Sequence, residues 1–393
     1  MHQEDQLTFV GNTQEFFTEA PEINALMLKE LGVVQGKTVL EPAVGEGAFL
    51  HGLNDAMRID AIDINPASIA KVGKKFASNV NAMVGDFIDS NLKDELETKL
   101  NMKSNYDAVI CNPPYGLKFT VDYRKLLKRK FPEMYVRESY GLFMYMSISM
   151  LVEGGRFCFI VTDTFLASRN HTPLRKFIAN NANVEKIYVF NSSRFETVNY
   201  GYGSMCIISG NAAEQGQKLP CKFFNSLAND KDIEAGDQRL VTPSELTNCV
   251  EAGWARFFLN EDEEYDAPHF LGEIAECRTG IYTGDNPRFC GFVGTPRRKV
   301  NGHEIYEADV CRKELLDEEK LGGVLVASHY VPLIRGGHWL PYQQQGNYID
   351  WSTRAVNYYR TDKKARLQNQ RFYFRKGLAV PMVTSDFLPA GIL

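Results

Sequence analysis

The 393-residue sequence lacks the features that mark metal-binding, membrane or strongly basic proteins. Its 8 cysteines form no Cys-x-x-Cys pair and no Cys/His cluster, which argues against a zinc site or a disulfide framework and favours a reducing compartment. No apolar run reaches the roughly 18 residues of a membrane span, and no signal peptide is recognisable, so we expect a cytoplasmic protein without a membrane partner. The net charge of −5 excludes a uniformly basic surface but permits a local basic groove.

The glycine patterns that cradle phosphates are also missing. Glu41-Pro42-Ala43-Val44-Gly45-Glu46-Gly47 follows a short predicted strand, but it has no third glycine of a dinucleotide fingerprint and no Gly-Lys-Ser/Thr of a P-loop. Gly45 and Gly47 still let the backbone approach a ligand closely. The turn therefore favours a nucleoside ligand without phosphates, and S-adenosylmethionine is such a ligand.

What the sequence does contain is a regular alternation of predicted strands and helices up to about Gly210. Seven predicted strands indicate an α/β fold with a doubly wound, mostly parallel, Rossmann-like sheet. The segment 211–219 is polar and is interpreted as a linker, and residues 220–393 lose the alternation. We therefore predict a catalytic domain over 1–210 and a mixed α/β second domain over 220–393.

Three local features of the first domain are also predicted from the pattern. A helix is expected directly after Gly47, because the glycine turn leads into Ala48-Phe49-Leu50. The apolar run Leu142–Val152 predicts a helix, and Gly154-Gly155 predicts a turn into the fifth strand.

Acidic residues end the second and third predicted strands. Asp63 can accept hydrogen bonds from ribose hydroxyls, and Asp86 is followed by Phe87, an aromatic residue that could hold an adenine. Each residue has an ordinary structural alternative. Asp63 could cap the helix that begins at Pro66, and Phe87 could belong to the core. The ordered series after successive strands favours a cofactor site over separate coincidences.

The fourth predicted strand, Tyr106 to Cys111, leads into Asn112-Pro113-Pro114-Tyr115. The prolines stiffen a turn at the carboxyl end of the strand. The Asn112 side-chain oxygen and the Pro113 carbonyl could each accept one hydrogen of an aromatic amine, such as the adenine amino group. Such bonds would localise the nitrogen lone pair for attack on a methyl group, while Tyr115 stacks on the base.

The ordered motifs from Glu15 to Ser209 resemble the γ-order N6-adenine DNA methyltransferases of bacterial restriction–modification systems, of the Taq type. Phe16-Phe17-Thr18 matches the N-terminal cofactor motif, with a one-residue offset before Pro21-Glu22. Phe195 is the best match to a second base-stacking aromatic, with Tyr200 and Tyr202 as rivals. The resemblance implies S-adenosylmethionine contacts at Thr18, Glu41, Pro42, Ala43, Gly45, Gly47, Asp63, Ile64, Asp86 and Phe87, and catalysis at Asn112, Pro113, Pro114 and Tyr115.

The function that the resemblance implies is site-specific adenine-N6 methylation of duplex DNA, as the modification arm of a restriction–modification or related phage-defence system. Because a base within a duplex is out of reach, such enzymes flip it out, and Tyr115 and Phe195 would sandwich it. Two alternatives stay open. The chain could methylate another amino group (cytosine N4, an RNA adenine or a protein glutamine), or it could be a non-catalytic subunit that only binds DNA.

The C-terminal half resembles target-recognition regions of larger bifunctional relatives at Gly280–Asn286, Val331–Gly337 and Phe372–Leu378. These matches favour a recognition domain that is truncated, divided or completed by a partner, such as a cognate restriction or specificity subunit. Basic clusters at 124–130 and 297–299 favour a local groove for the DNA backbone. The predicted DNA contacts are Lys125, Lys128, Arg129, Lys130, Arg297 and Arg298, and no metal site is predicted.

Overall fold

The computed structural model describes residues 21–76, 79–92, 94–117, 119–190, 204–213, 218–227, 238–258, 271–294, 302–334, 346–380 and 391–392. The chain divides into two compact units, Met1–Tyr265 and Asp266–Leu393. This division differs from the predicted linker at 211–219. Residues Cys221–Leu227 and Gln238–Val241 continue the sheet of the first unit, so the boundary lies about fifty residues later than the polar segment indicated.

The first unit is built on one large mixed sheet. Among the described residues it has nine strands, in the order β3-β2-β1-β4-β5-β7-β6-β8-β9. The first five pair in parallel, and β7 runs antiparallel between β5 and β6. The strands are β1 (Thr38–Glu41), β2 (Arg58–Asp63), β3 (Val80–Val84), β4 (Tyr106–Cys111), β5 (Leu151–Thr162), β6 (Ala182–Phe190), β7 (Met205–Ala212), β8 (Cys221–Leu227) and β9 (Gln238–Val241).

Helices connect β2 to β3, β3 to β4 and β4 to β5, as the alternating pattern predicted, whereas only a short 3₁₀ turn lies between β1 and β2. The helix α6 is apolar on all sides and is buried along most of its length, which is typical of a helix inside a domain. Helices α1, α2 and α8 also pack against the sheet. The helices are α1 (Pro21–Leu31), α2 (Pro66–Lys75), α3 (Phe87–Leu92), α4 (Leu96–Leu100), α5 (Val121–Lys130), α6 (Tyr140–Ser149), α7 (Thr164–Ala167), α8 (Thr172–Asn181) and α9 (Pro243–Asn248).

The doubly wound Rossmann-like sheet is confirmed, but β8 and β9 extend it beyond the seven predicted strands. Three local predictions are wrong. After Gly47 the chain forms only a short 3₁₀ turn, Leu50–Gly52. The apolar helix ends at Ser149, so its last predicted residues open β5. Gly154, with φ of 73°, lies inside β5 at an irregularity in its pairing with β4, so a bulge replaces the predicted turn.

The second unit has a smaller sheet and its own core. Its four-stranded sheet has the order β11-β10-β13-β12, and Trp351, Ile349 and Phe289 are buried beside it. The elements are α10 (Leu271–Ile274), α11 (Asn286–Phe289), β10 (Cys290–Val293), β11 (His303–Ile305), α12 (Asp317–Gly322), β12 (Tyr330–Pro332), β13 (Asn347–Asp350), α13 (Thr353–Thr361), β14 (Leu378–Ala379) and β15 (Gly391–Ile392).

Within the described residues, no helix is long and apolar enough to cross a membrane. The same residues contain no group of three or more His, Cys, Asp or Glu side chains arranged to hold a metal ion.

Candidate active site

Parallel pairing brings the predicted cofactor and catalytic residues to one edge of the sheet. In the spatial order β3-β2-β1-β4, the carboxyl ends lead to Asp86, Asp63, Glu41 and Asn112. Neighbouring strands lie about 4.8 Å apart, so the row from β3 to β4 spans roughly 14 Å. This edge, outside the carboxyl ends of the strands, is where open α/β sheets bind their ligands.

Glu41 is the most deeply buried acid of this edge. The residue is 1% exposed, and its Oε2 has no hydrogen-bond partner in the described part of the chain. Burial, and secondarily the negative charge of Asp63, raise the pKa of the Glu41 carboxyl well above its usual range. Because buried polar atoms are normally paired, the free oxygen indicates a donor that a ligand would supply.

Asp63 holds the glycine turn in place. Its Oδ2 accepts a hydrogen bond from the Gly45 backbone N–H at 2.8 Å, and its Oδ1 accepts one from Asn65 N–H at 2.8 Å. The N-cap of α2 is Asn65, which accepts from Ala67 N–H, so the capping alternative for Asp63 is wrong. Each carboxylate oxygen keeps a lone pair for a further donor such as a ribose hydroxyl.

The glycine turn carries the remaining predicted contacts from the first strand. Gly45 has φ of 51° and Gly47 has φ of 83°, in the left-handed region that favours glycine. A Cβ at Gly47 would lie 2.6 Å from the Phe76 ring, so this glycine also allows the turn to pack closely. Pro42 is buried and Ala43 is half-buried in the same turn.

The residues after β2 and β3 differ in accessibility. Ile64 is 46% exposed beside Asp63 and offers an apolar surface to a ligand. Phe87 is 2% exposed, and its ring centroid lies 5.3 Å from that of Phe143, so its packing agrees with the core alternative. Asp86 Oδ1 accepts a hydrogen bond from Asp89 N–H at 3.0 Å in the first turn of α3.

The turn after β4 presents a half-buried amide. Asn112 is partly accessible, and its Oδ1 lies 2.7 Å from the Tyr115 hydroxyl. The same hydroxyl also reaches the Ile160 backbone carbonyl on β5. A phenol has a single hydrogen, so it can donate to only one of these two oxygens at a time. Tyr115 is 8% exposed and is thus held against the end of the sheet.

Ser139 is a positioning residue that the sequence did not reveal. It is fully buried before α6, and its hydroxyl donates to the Pro114 carbonyl of the turn. Its neighbour Tyr140 has its ring 6.4 Å from the Tyr115 ring and its hydroxyl 2.9 Å from His171 Nε2. The only signal for Ser139 in the sequence is its position directly before an apolar run. That position predicts a helix N-cap and not a contact with the turn after β4.

The predicted DNA contacts of the first basic cluster lie on α5. Tyr123 and Leu127 are the buried residues of this helix, and the basic side chains of the predicted contacts are exposed. Lys125 pairs with Asp122 at 2.9 Å, and Lys130 pairs with Asp94 at 2.8 Å. Both pairs are solvent-exposed and therefore weak.

Several predicted residues lie outside the described residues. These are Thr18 of the N-terminal motif, the base-stacking candidates Phe195, Tyr200 and Tyr202, and the basic residues Arg297 and Arg298. Their roles stay predictions.

Comparison with known proteins agrees with this geometry. Residues 53–195 match the family model described as "Eco57I restriction-modification methylase". This segment is therefore similar to methylases of restriction–modification systems. The type II methyltransferase M.AccI of Acinetobacter calcoaceticus is 30% identical over 164 residues, which cover 39% of this chain and 28% of that relative. M.HincII of Haemophilus influenzae is 28% identical over 203 residues, covering 49% and 36%.

The chain thus spans about a third of the length of these relatives. A Methanocaldococcus jannaschii protein named as an N5-glutamine methyltransferase is 33% identical over 99 residues, covering 25% of this chain and 46% of that protein. Among solved structures, the methyltransferase subunit of a type I restriction–modification system from Streptococcus thermophilus has a TM-score of 0.49 at 14% identity, covering 63% and 60% of the two chains.

The methylase family and its relatives support S-adenosylmethionine as the methyl donor, as the sequence predicted. The residues at the sheet edge fit this cofactor. Glu41 has a buried oxygen that needs a donor, Asp63 has free lone pairs at the turn, and Ile64 exposes an apolar side chain next to it. A nucleoside with a charged amino acid tail offers both the donors and the apolar ring that such an edge binds.

Proposed function

We propose that the methylase transfers a methyl group to the N6 amino group of an adenine flipped out of duplex DNA, at specific sites. The observation that carries the proposal is the half-buried Asn112 amide, at the end of β4, in hydrogen-bond contact with Tyr115. An amide oxygen next to a prolyl carbonyl presents two acceptors and no strong base. This arrangement suits a substrate amine that must be oriented rather than deprotonated before it reacts.

In the proposed reaction, Asn112 Oδ1 and the Pro113 carbonyl each accept one hydrogen of the target amine. An aromatic amine is a poor nucleophile because its lone pair is delocalised into the ring. Two acceptors favour a pyramidal nitrogen, and the hydrogen bonds strengthen as the nitrogen gains positive charge. S-adenosylmethionine, when bound, supplies the electrophilic methyl group. Alignment at this edge can account for up to roughly 7–11 kcal/mol of the barrier reduction.

The Tyr115 hydroxyl contacts Asn112 Oδ1, the acceptor that the target amine would use. Without substrate, its hydroxyl lies within hydrogen-bond distance of both Asn112 Oδ1 and the Ile160 carbonyl. When the target amine donates to Asn112, the phenol hydrogen stays with Ile160. The exchange costs little, because each oxygen has a donor afterwards.

The DNA component of the proposal rests on the restriction–modification relatives and on the basic face of α5. Tyr115 and Phe195 would hold the flipped base, and the second unit would read the target sequence. A cognate restriction or specificity subunit is the proposed partner, because the matching family model is of the restriction–modification type.

A second candidate is methylation of a protein glutamine amide. The Methanocaldococcus jannaschii protein named for that activity matches 99 residues of this chain. An amide nitrogen is delocalised like an aromatic amine, so the same two acceptors would serve it. The second unit favours DNA as the substrate, because a separate domain is useful for reading a base sequence. A glutamine side chain in a protein substrate has no base sequence to be read.

The test is methyl transfer from labelled S-adenosylmethionine to duplex DNA by the full chain, followed by hydrolysis of the product to nucleosides. We expect N6-methyladenine as the labelled nucleoside. Asn112→Ala should lose nearly all activity, whereas Asn181→Ala, at an exposed amide on α8, should keep it. Label in protein, RNA or N4-methylcytosine, or full activity of Asn112→Ala, would overturn the proposal.

A further inference from the structure

A shallow cleft beside α5 is lined by four cationic side chains and no acid. Its floor and walls come from the exposed face of α5 and from the chain that leads to α6. A cleft with a single sign of charge concentrates counter-ions of the opposite sign. The lining residues are Val121, Arg124, Lys125, Lys128, Val136 and Arg137.

Arg124 is the residue that marks the cleft as a binding site. Its Nε is buried and has no hydrogen-bond acceptor in the described part of the chain. A buried guanidinium N–H without an acceptor is costly, and an anion in the cleft would satisfy it. Lys125 is drawn toward Asp122, and Lys128 donates to the Met134 carbonyl at 3.2 Å. Arg124 and the exposed Arg137 are therefore the main candidates to bind the anion.

Both walls of the cleft are close along the chain to the turn Asn112–Tyr115. Arg137 precedes Ser139 by two residues, so their Cα atoms are at most about 7 Å apart. Ser139 donates a hydrogen bond to the Pro114 carbonyl. On the other wall, α5 begins six residues after Tyr115. If the anion is a phosphate of a nucleic acid strand, it would thus be within a few nucleotides of a base held at Asn112.

We propose that this cleft binds one phosphodiester group of the DNA strand that carries the target base, with Arg124 and Arg137 as its ligands. The inference rests on the proposed function and deepens it. The two valines support a phosphodiester over free phosphate, because their apolar surface suits the sugar carbons on either side of the group. A backbone contact here fixes the strand without reading its sequence.

The variants that test the cleft are Arg124→Gln, Arg137→Gln and the double variant, in the full-length chain. Lys176→Gln is the matched control, since Lys176 carries the same charge on the exposed face of α8 and does not line the cleft. Binding of a fluorescent duplex containing the methylated site is measured over a series of KCl concentrations. Calorimetric binding of S-adenosylmethionine checks that each variant is folded.

We expect each cleft variant to weaken duplex binding by about tenfold, the usual effect of losing a hydrogen bond to a charged group. The slope of log affinity against log salt should fall by about 1, and by no more in the double variant, because both arginines bind one phosphate. Cognate and unrelated duplexes should lose affinity equally. Lys176→Gln should change affinity and slope less.

A duplex scan identifies the phosphate directly. Single methylphosphonates, which remove one backbone charge, are placed in turn around the target base. At one position the unmodified protein should lose about tenfold in affinity, while the double variant should lose nothing further there.

The outcomes separate this inference from the proposed function. If the chain methylates DNA but the cleft variants bind like Lys176→Gln, the cleft inference is wrong and the proposed function stands. The same holds if every methylphosphonate weakens binding as much in the double variant as in the unmodified protein. If the cleft variants bind single-stranded RNA more weakly than the unmodified protein does, but bind duplex DNA equally well, the occupant of the cleft is RNA. That result also overturns the inference. No binding or methylation of duplex DNA by the unmodified chain overturns both.

Discussion

Burial of the Glu41 carboxyl destabilises the folded protein when the group is charged, and the same group is available to bind a ligand. Its carboxyl is buried at the end of β1 with one oxygen unpaired, and burial raises its pKa. The folded protein therefore binds more protons than the unfolded chain between the usual glutamate pKa and the raised one. In that window stability falls as pH rises, because the charged form is disfavoured only in the folded state. A bound ligand that donates to the free oxygen would offset this loss.

Glu41→Gln should consequently stabilise the cofactor-free protein while weakening its cofactor binding. The melting temperature of the unmodified protein should fall between pH 5 and pH 8 by more than that of Glu41→Gln, which has no charge to bury. Calorimetry should give an affinity for S-adenosylmethionine about tenfold lower, as for a lost hydrogen bond to a charged group. Equal pH dependence of the two melting temperatures would contradict the assignment of the shift to Glu41.

Among the helices of the described residues, α6 has the most direct link to the turn Asn112–Tyr115. It is apolar on all sides, and the residue at its start uses its hydroxyl on Pro114 instead of capping the helix. The packing of α6 thus fixes the position of the Pro114 carbonyl relative to the sheet. The same kind of link, between Tyr115 and the Ile160 carbonyl, attaches the turn to β5.

Ser139→Ala should lower kcat about tenfold and leave KM nearly unchanged, because the lost bond positions the turn and does not contact the substrate. The control is Ser147→Ala in the same helix. Ser147 is equally buried, but its hydroxyl has no partner in the described residues, so its removal should be neutral or stabilising. Steady-state methyl transfer and thermal melting measure the two effects. A similar fall in kcat for both variants would mean that α6 acts only through general packing.

Across the molecule, the sequence predicted those parts that depend on neighbouring residues along the chain. β4 begins and ends at the predicted residues, Tyr106 and Cys111, because the apolar run is preceded by polar residues and followed by Asn112 and two prolines. The glycine pair in β5 was misinterpreted, since a bulge and a turn use the same residue type. The bond from Tyr115 to Ile160 and the cleft at Arg137 depend on contacts between distant residues, which no local pattern encodes.

The domain boundary shows the same limit on a larger scale. The polar segment after Gly210 looks like a linker, yet β8 then pairs with β6 and brings Phe224 onto Tyr188, with ring centroids 4.6 Å apart. The loss of the βα alternation predicts the end of the domain at this segment, but a sheet can also end in strands that are joined by short connections.

Truncation distinguishes the two boundaries. A fragment of residues 1–265 should unfold cooperatively and bind S-adenosylmethionine like the full chain, because it keeps the whole nine-stranded sheet of the described residues. A fragment of residues 1–210 should melt at a lower temperature and aggregate, since it exposes the edge of β6 and the apolar surface that β8 covers. Circular dichroism and light scattering measure both. Equal stability of the two fragments would restore the boundary that the sequence predicted.

The position of β7 between β5 and β6 also has a consequence for how the protein is made. β7 is the last of these three strands to leave the ribosome, although it lies between the other two. At typical elongation rates, about 5–20 residues per second, β5 waits roughly 2–9 s for this partner after its own last residue is synthesised. During that interval the apolar edge Phe157–Val161 is open to other nascent chains. Slow translation between β5 and β7 should therefore reduce the soluble yield more than slow translation elsewhere in the first unit.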